Sequence, residues 1–365
     1  MSRKENLPKT PRKRSGRKHR DAVTIHDVAR QAGVSPMTVS RVVNGENNVR
    51  ESTRAAVMSA VSALNYAPNP AARSLAGADG ARIGLIYNNP SASYLTEFLV
   101  GALDESSRKS TQIMLEKCEL TSAAAERAAV LKLAEGGASG VILPPPLSES
   151  ADVLEALREA DLPAVAVATG RFNSKTSCVR INDYAAAVEM TNYLLSLGHH
   201  RIGFIKGHPN TTSSAERLRG FEKALHDAGM RSDKALIVQG YFSYRSGLDA
   251  AESLLTLRPA PTAIFASNDD MAAAVVSVAH RRGLDVPRDL SVVGFDDTSI
   301  ATTIWPELTT IRQPITSMAE IALDLVIRAI RERKNGLDLK PVDYLVAYSL
   351  VKRQSAAAPK NANIK

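Results

Sequence analysis

From Ala81 onward, short apolar runs alternate with stretches of helical character, and the alternation occurs twice. The first series reads RIGLIY (82–87), QIMLEKC (112–118), GVILPP (140–145), PAVAVA (163–168) and VRI (179–181). The second reads RIGFIK (201–206), ALIVQG (235–240), AIFASN (263–268) and SVVGFD (291–296). Helical stretches such as 148–160, 215–228 and 315–333 lie between or after them. A strand that is apolar on both sides has no face for water, so such runs belong in parallel sheets covered by helices on both faces. The likeness of RIGLIY and RIGFIK predicts two similar α/β lobes, with chain crossings near 181–182, 311–313 and 338–340. Lobe 1 is expected over about 81–181 and 312–339, and lobe 2 over about 182–311 and 340–353. Residues 354–365 read as a disordered tail.

The first 80 residues follow another pattern. In TIHDVARQA (24–32), Ile25, Val28, Ala29 and Ala32 fall on one helical face, and Thr24 and Asp27 have capping-box spacing. Gly33 breaks the helix, Ser35 can cap a second one, and Pro36 suits its first position. That helix turns Val39, Val42 and Val43 inward and stops at Asn44-Gly45. A third runs from about Ser52 to Asn65, with Val57, Val61 and Leu64 on its inner face. Two short helices joined by a glycine turn and closed by a third make a helix-turn-helix plan, or a plain three-helix packing module. In the first case the second helix enters the major groove and presents Pro36, Met37, Thr38, Ser40 and Arg41. Arg41 can grip guanine with two hydrogen bonds, and Met37 can touch thymine methyls. Ser35, Thr38 and Asn44 suit phosphates, and Thr24 joins this DNA-facing set. Of the net charge of +8, residues 1–22 carry +7, which is either an arm for a phosphate backbone or a solvated tail.

TIHDVARQAGVSPMTVSRVVNG closely resembles the DNA-binding headpiece of the LacI/GalR family of bacterial transcription regulators. NYAPNPAARSLAG (65–77) resembles that family's hinge, and LTTIRQP (308–314) is a third shared feature. The resemblance spans about residues 23–350. It implies an all-α helix-turn-helix headpiece (23–68), a hinge helix and linker (69–80), and a ligand-binding and dimerisation domain (81–353). The last would have the two-lobed, periplasmic-binding-protein-like α/β fold. The hinge helix, between Asn69-Pro70 and Gly77, is far shorter than the ~12–15 residues an isolated helix needs, so it should order only on DNA. In the family a leucine at the place of Leu75, here flanked by Arg73, wedges between base pairs in the minor groove. The implied partners are a double-stranded pseudopalindromic operator, a second copy of the chain and a small-molecule effector.

Ligands of open parallel sheets bind beyond the carboxyl ends of the strands. Those ends read Tyr87-Asn88, Pro144-Pro145, Thr169-Gly170, Gly207-His208, Ser267-Asn268-Asp269 and Asp296-Asp297, all after very apolar runs. Asn88, Asn268, Asp269 and Asp296, with Arg217 at the start of the helix after 201–206, offer the donors and acceptors that sugar hydroxyls need. Tyr94, Phe242 and Trp305 offer apolar faces for a pyranose ring. By resemblance, the family's effector contacts fall on Tyr94, Leu95, Ser213, Arg217, Phe242, Asn268 and Asp296. Leu95 stands where some members have an aromatic, which favours a sugar over a flat nucleobase; the alternative is a regulator that answers to a nucleobase or other small metabolite as corepressor. Asp269 and Asp297 equally suit helix caps, and Trp305 equally suits packing at a lobe crossing.

Other functions fit less well. The chain contains no GxSxG, HExxH, P-loop or GxGxxG, and the adjacent carboxylates Asp269-Asp270 and Asp296-Asp297 have no nucleophile–base pair beside them. Neither catalytic residues nor a cofactor is expected. A transport binding protein would not carry the headpiece, and an architectural DNA protein would not need the two lobes. His199-His200 reads as a helix-ending turn and not a metal pair; Cys118 and Cys178 form no CxxC and read as core or strand-edge thiols. With no apolar run of 18 residues and no apolar stretch behind the basic start, a cytoplasmic protein without membrane contact is expected. The tail has no leucine heptad, so the expected assembly is a dimer.

Overall fold

The structure, a computed structural model, describes residues 23–43, 49–66, 80–118, 122–337 and 340–360. The basic arm, Asn44 and the hinge residues Arg73 and Leu75 lie outside the described residues. The chain divides into two units, one ending at Asp79 and one beginning at Gly80.

The first unit holds α1 (Ile25–Ala32), α2 (Pro36–Val43) and α3 (Glu51–Ala63). Asp27 reaches back to accept both the amide (3.0 Å) and the hydroxyl (2.6 Å) of Thr24, which fixes the entry to α1. Gly33 ends it at φ 67, where a side chain would be strained. The Ser35 hydroxyl accepts the Thr38 amide at 3.2 Å and so starts α2. Val28, Ala29, Val39, Val42, Val57 and Ala60 make one small core from all three helices.

The second unit contains two six-stranded sheets. The first is built from β1 (Arg82–Tyr87), β2 (Gln112–Lys117), β3 (Gly140–Leu143), β4 (Ala164–Val167), β5 (Ser177–Arg180) and β11 (Asp343–Leu345). The second is built from β6 (Ile202–Lys206), β7 (Ile237–Gln239), β8 (Ala263–Ala266), β9 (Ser291–Asp296), β10 (Thr309–Arg312) and β12 (Ser349–Val351). Their orders are β11-β5-β4-β3-β1-β2 and β12-β10-β9-β8-β6-β7. Every pairing is parallel except β12 on β10. Leu85 lies beside Leu115 on one side and Ile142 on the other, so the apolar runs stack in register.

Lobe 1 is covered by α4 (Ala92–Arg108), α5 (Ala123–Glu135), α6 (Ala151–Glu159) and α12 (Ile315–Lys334). Lobe 2 carries α7 (Asp183–Ser196), α8 (Thr212–Asp227), α9 (Tyr244–Thr256), α10 (Asp269–Arg281) and the short α11 (Ile300–Thr303). Its core includes Phe204 stacked on Phe221 at 4.7 Å and edge-on to Phe265. The chain crosses between lobes after β5, after β10 and between β11 and β12.

Two expectations need correction. The third crossing falls after Leu345 and not near 338–340, because β11 joins lobe 1. Asp343 holds it there through two 2.7 Å bonds from the Arg180 guanidinium on β5. Nor is the chain loose from residue 354. Ser355 is fully buried, accepts the Thr309 amide at 2.9 Å and donates to the Val292 carbonyl. His199, also buried, reaches the Ala357 carbonyl with Nε2 at 2.9 Å and the Thr262 hydroxyl with Nδ1. It clamps the segment after β12 onto lobe 2, a structural role. Both cysteines are buried, and among the described residues they form no disulfide.

Candidate functional site

In the first unit, α2 turns one side to the core and the other to solvent. Val39 and Val42 are buried; Met37 is 65% exposed, and Arg41 is exposed. Pro36, Thr38 and Ser40 are half-buried on the flanks of that stripe. The Ser35 and Thr38 hydroxyls bond to each other at 2.9 Å, and Thr24 is engaged by Asp27. Met37 and Arg41 thus stand one helical turn apart on an exposed face, where side chains of their length can reach base edges in a groove.

In the second unit, a cleft opens where the carboxyl ends of the two sheets face each other. From lobe 2, α8 supplies Ser213 and Arg217, β9 ends in Asp296, and Asn268 stands at the start of α10. Lobe 1 contributes Ser91, Tyr94, Ala168 and the Pro145-Pro146 corner.

Arg217 organises this space. It lies in the second turn of α8, not at its start, and is only 3% exposed. Its Nε donates to Asp183 at 2.8 Å, its Nη1 donates to the Ser267 carbonyl, and its guanidinium lies 3.6 Å over the ring of Phe295. Asp296 Oδ1 is 3.9 Å from Nη1 and accepts Gln313 Nε2 at 2.6 Å. Burial pushes the Asp296 carboxyl up to about 7, against the pull of Arg217. Burial likewise raises Asp183 and the Tyr94 phenol. Two buried atoms of the wall, Tyr94 Oη and Gln313 Oε1, have no hydrogen-bond partner. Such atoms are costly when dry, so they mark where a polar ligand gains most.

Asn268 is less free than its position suggests. Its Oδ1 caps α10 by accepting the Met271 amide at 3.0 Å, and its Nδ2 holds the Phe242 carbonyl at 2.9 Å. Phe242, at φ 60, lies against Gly207, where any Cβ would meet its ring at 2.0 Å. The pair therefore fixes an aromatic face at the cleft.

Four expected residues stand apart from the wall. Asn88 is half-buried beside it, and its neighbour Asn89 takes the place, donating to the Pro145 carbonyl at 3.1 Å. Leu95 follows Tyr94 on α4 and is rotated about 100° away from the cleft. Asp269 lies beneath the wall, fully buried, accepting the Thr298 amide at 2.9 Å and the Thr310 hydroxyl at 2.7 Å. It ties the loop after β9 to β10 and leaves the capping of α10 to Asn268. Trp305 is 77% exposed, in neither of its two expected places. Conversely, Gln313, His208, Thr211 and Ser91 line the cleft without having been assigned to it. Gln313 follows β10 as Asp296 ends β9, so the strand-end rule finds it once LTTIR is read as a strand.

Among the described residues, no group of three His, Cys, Asp or Glu side chains could hold a metal ion, and no helix is long and apolar enough to cross a membrane.

Residues 24–69 match the model of the bacterial regulatory proteins of the lacI family, and residues 191–356 match that of a periplasmic binding protein-like domain. Catabolite control protein A of Priestia megaterium is 33% identical over 307 residues, 84% of this chain and 92% of that protein. The HTH-type transcriptional repressor PurR of Photobacterium profundum is 33% identical over 313 residues, 86% of this chain and 93% of that one. Among solved structures, the transcriptional regulator CelR–cellobiose complex aligns with a TM-score of 0.69 at 29% identity, covering 91% of this chain and 99% of that one. The lac repressor dimer bound to operator and the anti-inducer ONPF also aligns with a TM-score of 0.69, at 28% identity, covering 93% and 100%.

Proposed function

This chain belongs to the LacI family of bacterial regulatory proteins, and we propose that it represses carbohydrate-utilisation genes as a homodimer on a pseudopalindromic operator, relieved by a sugar-type effector in the interlobe cleft. Its coarser role, a ligand-responsive transcriptional repressor, is that of its relatives. One observation carries the sugar reading: a buried guanidinium and a buried carboxylate, Arg217 and Asp296, face the same space as the Phe242 ring. Charged donors and acceptors satisfy neighbouring hydroxyls in pairs, while an aromatic face covers the C–H side of a pyranose. A solved relative that holds cellobiose supports the same reading. The alternative effector is a nucleobase or another small metabolite acting as corepressor.

A thermal-shift panel of mono- and disaccharides and purines tests this. A sugar at 100 times its Kd should add ~2.7 kcal/mol to stability. A purine that shifts the transition when no sugar does would replace the sugar reading. On the DNA side, Arg41→Ala should cost ~1–3 kcal/mol at the operator and relax preference at one base pair per half-site, read from binding to mutated operators. For the dimer, Val100, Leu103 and Leu115 lie exposed on α4 and the edge strand β2, which pack together. Leu115→Lys should give monomers in sedimentation and lose operator affinity.

A further inference from the structure

Outside the cleft wall, the two lobes meet at a second junction around the start of α8. Thr212 opens α8 in lobe 2, and the preceding Thr211 makes no side-chain cap bond. The first amide of that helix is satisfied from the opposite lobe. Glu149, at the end of a single helical turn (Leu147–Glu149) after β3, accepts the Thr212 amide with Oε2 at 2.8 Å and the Thr212 hydroxyl with Oε1. The same hydroxyl accepts the Gly170 amide of lobe 1 at 2.9 Å. A Cβ on Gly170 would lie 2.4 Å from the Thr212 carbonyl carbon and 2.5 Å from the Ser213 nitrogen, both backbone atoms. One turn further along α8, buried Glu216 takes the Arg171 guanidinium of lobe 1. Thr212 itself, Glu149 and Gly170 are absent from the cleft wall, yet the next residue of α8, Ser213, and Arg217 belong to it.

We propose that Glu149, Gly170 and Thr212 form a latch by which lobe 1 caps the helix that carries Ser213 and Arg217, so that closing the cleft and positioning those two side chains are a single event. A helix whose own cap residue provides no bond frays at its first turn. When the lobes part, the first turn of α8 loses the acceptor that Glu149 supplies; when they close, the acceptor returns and Gly170 admits the close approach. Glu149 is thus a positioning residue that reaches the ligand only through α8. The latch does not depend on which ligand the cleft takes.

Hydrogen exchange on the full-length protein without ligand separates this from a local cap. The Ser299 amide crosses the lobes at a different place, donating to Glu97 at 3.1 Å. Glu149→Ala should speed exchange at least tenfold at Thr212 and Ser213, and also at Gly170 and the distant Ser299, because the whole cleft opens. Gly170→Ala, which wedges the lobes apart without touching Glu149, should reproduce the pattern. Glu149→Gln keeps an acceptor oxygen and should show a smaller rise at the same amides. Faster exchange confined to Thr212 and Ser213, or no change in either Glu149→Ala or Gly170→Ala, overturns the latch.

Discussion

The two lobes share a strand order, yet they face the cleft with different chemistry. Lobe 2 ends its strands in a charged, interlocked bed: Arg217 is held by Asp183, Ser267 and Phe295, with Asp296 held by Gln313. Among the described residues, lobe 1 presents prolines, an asparagine, an alanine, a serine and the Tyr94 hydroxyl, with no charged side chain on the wall. The difference teaches how a hinged pair of similar domains can divide the work. The side whose charged groups are already held by their neighbours, with Gln313 Oε1 left to accept from a ligand, can receive one without rearranging. The side with an unpartnered hydroxyl gains only when it closes over something polar.

The comparison can be broken most decisively at Arg217. Arg217→Ala leaves the buried Asp183 carboxylate without the guanidinium that donates to it, and loss of one partner of a buried pair costs ~3–5 kcal/mol. Urea unfolding should show a loss of that size along with loss of ligand binding. A variant of parental stability would mean that the bed of lobe 2 is not an electrostatic framework. An effect of intermediate size is expected at Asp296. Its folded pKa of about 7 lies above the ordinary 3.8, so between those values the folded state holds a proton that the unfolded state has released. Stability therefore falls as pH rises across that window and levels off above it. Asp296→Asn removes the titration, so its stability should gain on the parent's from pH ~4 to ~7 and then run parallel. Unfolding midpoints measured at intervals across the window check the sign; a pH-independent gap would show that the carboxyl is not strained by burial. The smallest effect sharpens the picture of lobe 1. Tyr94→Phe deletes a buried hydroxyl with no partner, so the ligand-free protein should gain ~1 kcal/mol. A lower Tm in that variant would mean that the hydroxyl is already satisfied.

Legibility followed the range of the interactions. The long apolar runs were read nearly to the residue, since RIGLIY and SVVGFD are β1 and β9 with the same bounds. The strand-end rule located Asp296 and Asn268, residue chemistry named Arg217, Tyr94 and Phe242, and the resemblance added Ser213, all found on one wall. What escaped was set by partners far away in sequence. DYL is a three-residue strand exposed along its length, and only its pairing with β5 shows its lobe. Ser355 looks like any tail serine until Thr309 and Val292 are placed beside it. Asp269 carries the same polar signature as Asp296, but Thr298 and Thr310 draw it beneath the wall.

The strand order has a consequence for how the protein is made. β10 is flanked by β9 on one side and by β12 on the other, and β12 follows it only after the chain has built α12 and β11 in the opposite lobe. At ~5–20 residues per second, the ~40 residues between them take about 2–8 s to emerge. For that interval the Thr310–Arg312 edge of a nearly finished sheet has no neighbour. A nascent chain in that state offers an open template for strand pairing with other chains, so crowded polysomes and chaperone supply bear on the yield of this repressor.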